Sequence, residues 1–242
     1  MRSLSPTSPR LVWHGRDGRI ELSGRVFDNW VAKSANLLVD ELDAADGTVV
    51  AVDLPVHWKS LALVFACWQV GAVVVLPDGD GVPGPSVGTS ADADIVLTSW
   101  AGVEVDPPRL LACVALGSLA LRWDGPLPRG AVDFAAEVRS HGDVFLDAAD
   151  GRASAPLVRA PGRELTAVDL AGMVALPGGH DQAAAVAEPP TLLLAPGVGL
   201  LRTLAAAAAV WERDGALVLV EEGVTVTDTM LSGEKVTDRM GA

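Results

Sequence analysis

The stretch from Val49 to Asp78, VVAVDLPVHWKSLALVFACWQVGAVVVLPD, constrains this chain more than any other. Val49–Leu54 is β-branched and apolar, and Pro55 marks a turn. Leu61, Leu63, Val64, Phe65, Cys67 and Trp68 then fall at the spacings of a mostly buried helix. Gly71 stands just past it, where a left-handed cap is wanted. Val73–Leu76 is strand-like again, and Pro77 closes it. Both strands read as buried on two faces, which predicts a parallel sheet covered by helices on both faces.

The device recurs near the end of the chain. Leu200–Trp211 is an apolar, Ala-rich helix, followed by Glu212-Arg213-Asp214, Gly215-Ala216 and the strand Leu217–Val220. Each copy reads helix, Trp, turn, Gly-Ala, strand. Glycine and small residues are also what α/β chains generally need at helix exits. No fixed period of solenoid length runs through the chain.

Composition bounds the function classes. With 242 residues, half of them apolar, and a mean hydropathy of +0.34, the chain can bury a sizeable core. No apolar run reaches the ~18 residues of a membrane helix. The segment around Leu204 comes nearest, but Arg202 and Glu212-Arg213-Asp214 bracket it. The N-terminus, MRSLSPTSPRLVW, has no apolar signal core, so the expected location is the cytoplasm. Cys67 and Cys113 lie in apolar segments without metal-ligand spacing and read as buried, reduced thiols. The net charge is −13 and the only lysines are Lys33, Lys59 and Lys235. A nucleic-acid partner would need a basic stripe, and none is present.

Along the chain, residues 1–19 read as polar and irregular, and Ile20–Leu22 as a short strand. Ser23-Gly24-Arg25-Val26 opens a helix to about Leu42, with Val26, Trp30, Ala32, Ala35, Leu37, Leu38 and Leu42 as its apolar face. Residues 78–92 are a loop rich in Gly, Pro and Asp. Ile95–Ser99 and Leu111–Leu116 are strand candidates, and Asp133–Ser140 a short helix. Val144–Leu146, Asp147–Ser154 and Ala155–Val158 read as strand, turn, strand. Thr166 with Asp169 starts a helix over Ala167–Ala175. Thr191–Ala195 is a strand, and Val224–Ala242 a frayed polar end. The expected organisation is one α/β domain over residues 1–225, in two packed lobes meeting near 140–150, with a polar tail over 226–242.

The order of these pieces resembles the start of the adenylate-forming superfamily: acyl-CoA synthetases, peptide-synthetase adenylation domains and luciferases. The segments ELSGRVFDNWVAKSANLLVDEL, ADGTVVAVDLPVH and SLALVFACWQVGAVVVLPD are similar to that family's opening helix, strand and helix–strand. Residues 191–221 resemble its later strand, helix and "aGA.vvl" segment. Within the superfamily the likeness is strongest to a small actinobacterial group. The resemblance implies an α/β fold with a mixed or mostly parallel sheet flanked by helices, as in the N-terminal large domain of these enzymes. Their chemistry activates a carboxylate: it attacks the α-phosphate of ATP, an acyl-adenylate forms and pyrophosphate leaves.

In that family a Ser/Thr/Gly-rich loop ending in Pro-Lys meets the β- and γ-phosphates with backbone N–H groups, hydroxyls and a cation. The matching position here is Leu146-Asp147-Ala148-Ala149-Asp150-Gly151-Arg152-Ala153-Ser154. Gly151 and Arg152 fit. Asp147 and Asp150 stand where hydroxyls belong, and Ser154 where the lysine belongs. A carboxylate about 4 Å from a phosphate oxygen repels it by roughly 4 kcal/mol at an effective dielectric near 20. A lost charged hydrogen bond costs a further ~1.5–3 kcal/mol. Asp150-Gly151 equally reads as a tight hairpin turn. The family's later magnesium, ribose and C-terminal lysine residues would fall beyond Ala242.

No other constellation matches a known chemistry. His14, His57, His141 and His180 do not pair with Cys, Asp or Glu at ligand spacing, and no metal site is expected. His57, after Pro55, reads as a polar helix cap. Gly197-Val198-Gly199 before a helix reads as close backbone packing. The tryptophans read as core residues.

The resulting expectation is a degenerate adenylate-forming-like protein, a pseudoenzyme without ligase activity, cofactor or catalytic residue. Its scaffold would serve a small-molecule or protein partner. Nucleic acid and membrane are excluded, and an open sheet edge would make it a homo-oligomer. The alternative is an AMP-forming carboxylate ligase using ATP and magnesium, with an atypical phosphate loop or a lid supplied in trans.

Overall fold

The structure, a computed structural model, describes residues 7–76, 92–148, 155–160, 162–174 and 189–241. The chain divides into two compact units, one of residues 1–27 with 168–242, the other of residues 28–167.

The second unit holds residues 49–76. Strand β3 (Val49–Asp53), helix α2 (Trp58–Val70) and strand β4 (Val73–Val75) follow one another as its apolar pattern predicts. His57 has extended backbone, and its Nδ1 accepts the Lys59 N–H at 3.1 Å, so it is the helix cap read from the sequence. Gly71 ends α2 at φ 91°, a left-handed conformation that favours a residue without Cβ. Strands β5 (Ile95–Thr98), β6 (Leu110–Cys113), β7 (Val132–Asp133), β8 (Val158–Ala160) and β9 (Arg163–Leu165) complete a seven-stranded sheet in the order β7-β6-β5-β3-β4-β8-β9. Its neighbours pair parallel except β8 with β9. A short helix α3 (Phe134–Glu137) is capped by Asp133, which accepts the N–H groups of Ala135 and Ala136.

The first unit carries β1 (Pro9–Gly15), β2 (Gly18–Ser23), β10 (Thr191–Leu194), helix α5 (Leu200–Glu212), β11 (Ala216–Val220), helix α6 (Asp228–Gly233) and β12 (Asp238–Met240). Its sheet runs β12-β10-β11-β1-β2, again parallel except for the last pair. Helix α1 (Gly24–Leu42) follows β2, and helix α4 (Ala167–Gly172) follows β9.

The two sheets share one plan. In one, Ile95, Val50, Val74, Val158 and Leu165 stand in a row across β5-β3-β4-β8-β9. In the other, Asp238, Leu192, Leu217, Leu11 and Leu22 stand in the corresponding row across β12-β10-β11-β1-β2. Each unit contains a strand–helix–strand crossover with a parallel strand next to it on each side and an antiparallel strand beyond one of these that leads into a helix; the seven-stranded sheet adds β6 and β7 beyond β5. The tryptophans that recur in the sequence, Trp68 and Trp211, mark the same position in both, while the Gly-Ala pair falls one residue later in the first unit.

Four expectations change. Residues 9–15 form a buried strand rather than an irregular end, because Leu11, Val12 and Trp13 pair on both sides. Val144–Leu146 is not a strand: Val144 is 65% and Leu146 87% exposed, and the next strand begins only at Val158. The end of the chain is not frayed. Val224, Val226, Met230, Leu231 and Val236 pack on Val12, Leu193, Val218 and Val220, and β12 pairs with β10. On α1, Val26 is exposed and Phe27 takes its place in the core. The loop at 78–91 lies outside the described residues.

Candidate functional site

The segment entering the expected phosphate loop is held by one face of α1. Lys33, Asn36 and Asp40 lie three and four residues apart, hence on one side of the helix. The Lys33 ammonium donates to the carbonyl of His141. Asn36 Nδ2 donates to the carbonyls of Gly142 at 2.9 Å and Val144 at 3.0 Å. Asp40 Oδ2 lies 3.1 Å from His141 Nδ1. Side chains thus supply the backbone partners that a ladder would give a strand. The Nε2 of His141 is buried and has no partner among the described residues. Of the five loop positions read from the sequence, Asp147 is exposed to water. Asp150, Gly151, Arg152 and Ser154 lie outside the described residues.

A second polar group was not singled out in the sequence. It sits at the carboxyl ends of β3 and β5. The chain leaves β3 through α2 to β4 on one side and later returns to β5 on the other. In open α/β sheets the crevice at such a reversal is where ligands commonly bind. Asp53 and Thr98 are register partners there, and Thr98 Oγ1 donates to Asp53 Oδ2 at 3.0 Å. The Trp100 N–H in turn donates to Thr98 Oγ1. Lys59 is buried and donates to the carbonyls of Ala115 at 2.7 Å and Gly117 at 2.8 Å. Ser60 donates to the carbonyl of Pro55.

The first unit is an internal control for this cluster. The positions matching Asp53, His57 and Lys59 are Ala195, Gly199 and Leu201, in the same places relative to β10 and the start of α5. Buried charges cost free energy unless well compensated. The plan is therefore built once without them and once with them, so they are not a requirement of the fold. The signal available in the sequence was two charged residues, Asp53 and Lys59, set close together between apolar segments.

Burial pushes the Cys67 thiol up to about 12 and the Cys113 thiol up to about 11, with the Asp133 carboxylate adding to the second. His14 Nε2 meets Glu234 at 2.8 Å. Among the described residues no group of three His, Cys, Asp or Glu side chains could hold a metal ion. No described helix is long and apolar enough to cross a membrane.

Two mostly parallel sheets with helices, joined in this order, make the α/β fold of the N-terminal domain of acyl-CoA synthetases. An acyl-CoA synthetase of Brucella canis superposes with a TM-score of 0.68 at 18% identity, over 98% of this chain and 45% of that one. The o-succinylbenzoate CoA synthetase of Bacillus subtilis, solved with its acyl-adenylate intermediate, gives 0.63 at 14% identity, over 98% and 58%. In sequence, the chain is 36% identical over 149 residues to a curated protein of Mycobacterium tuberculosis (strain ATCC 25618 / H37Rv) called TIGR03089 family protein. That match spans 60% of this chain and 59% of the relative. No family model matches.

Proposed function

We propose that this is a degenerate adenylate-forming-like protein of the cytoplasm, without ligase activity, whose scaffold binds a small molecule or a protein partner. The observation that carries this reading is the pair of acids, Asp147 and Asp150, at the phosphate-loop position, with Ser154 in place of the lysine. One carboxylate near a phosphate oxygen costs roughly 4 kcal/mol at an effective dielectric near 20, about a thousandfold in affinity. Arg152 supplies one cation against two acids. Retention of the polar cluster at the ends of β3 and β5, where the twin unit is apolar, supports a kept binding role. Titration calorimetry with magnesium and ATP tests the loss of nucleotide binding: no heat of binding is expected, and micromolar affinity overturns the reading.

A second reading is an AMP-forming carboxylate ligase with an atypical loop or a lid supplied in trans. Gly151 and Arg152, which fit the family's loop pattern, favour it. Exchange of labelled pyrophosphate into ATP with a panel of fatty and amino acids separates the two. Exchange that is abolished by Arg152→Ala establishes the second.

A further inference from the structure

We draw no further inference here: the strongest candidate, the buried His141 imidazole that Asp40 holds on the segment clamped by α1, carries nothing beyond the site already described, because nothing in the structure shows what would meet its second nitrogen.

Discussion

The indole N–H of Trp211 donates to the carbonyl of Arg10 at 3.1 Å, tying the end of α5 to β1. Trp68 does the same in the other unit, donating to the carbonyl of Leu157 at 2.9 Å, just before β8. Leu157 and Arg10 each precede the row residue, Val158 or Leu11, that pairs with the strand leaving the helix. Each tryptophan therefore pins its crossover to the neighbouring parallel strand at the same point of the plan. Around Trp211 the contact is reinforced: Arg10 lies 4.8 Å from the ring centroid and Phe27 packs at 4.9 Å.

Trp68→Phe and Trp211→Phe should each lose about 1–3 kcal/mol, since each removes an indole hydrogen bond to a main-chain carbonyl together with buried ring volume. Urea denaturation of the two variants checks this. Trp211→Phe should cost the more, because Trp211 is the more buried of the two and also loses its stacking on Arg10. A stability equal to the parent in both would remove the equivalence.

Two glycines that match in the sequence serve different physical ends. Gly71 holds φ 91°, so Gly71→Ala should cost about 1–2 kcal/mol in left-handed strain. In the first unit the left-handed residue is Asp214 at φ 56°, one position before Gly215. A Cβ on Gly215 would lie 2.3 Å from the Pro190 carbonyl oxygen, whose backbone pairs with Ala216. Gly215→Ala should therefore be the more damaging of the two, by several kcal/mol, as thermal unfolding of both variants will show.

Glu234 should make the docking of the C-terminal segment acid-sensitive. Arg19, donating from Nε at 2.7 Å and Nη2 at 2.9 Å, holds its carboxyl below the ordinary carboxylate range, and His14 adds to this. A carboxylate whose folded value is lowered contributes stability that is present above the unfolded value, and that stability is lost as pH falls through the folded one. Arg19 is 43% exposed, so the contribution is on the order of 1 kcal/mol. Denaturation midpoints of the parent should fall towards those of Glu234→Gln between neutral and acidic pH. Parallel curves would show that the pair contributes nothing.

Cys67 and Cys113 should resist alkylation at pH 8 in the folded protein, because burial keeps both as thiols. Iodoacetamide labelling followed by mass spectrometry should find both modified only after denaturant is added.

The clamp of α1 on residues 141–144 is tested by Asn36→Ala, which removes the donor to two backbone carbonyls. Faster amide exchange confined to residues 141–148 is expected, with a stability loss of about 1–2 kcal/mol. Unchanged exchange there would show that the segment holds its course without α1.

Much of the fold was legible because burial on both faces writes itself into the chain. Val49–Val52, Val73–Leu76, Leu192–Ala195 and Leu217–Val220 are apolar runs, and each became part of a parallel strand or its immediate end. His57 and Gly71 were legible as caps because capping is a local matter of backbone geometry. Val144–Leu146 misled for the same reason: an apolar triplet looks the same whether or not a neighbouring strand offers a ladder. What holds that segment is Lys33, Asn36 and Asp40, more than a hundred residues away in sequence.

The sequence alone determined the strand–helix–strand crossovers and the helix caps, since these rest on residues close together in the chain. Only the tertiary structure decided that β1 and β12 complete a sheet, that the two units share one register, and that Asp53 meets Thr98. Those depend on which distant segments pair, and pairing partners leave no mark on the periodicity of either segment by itself.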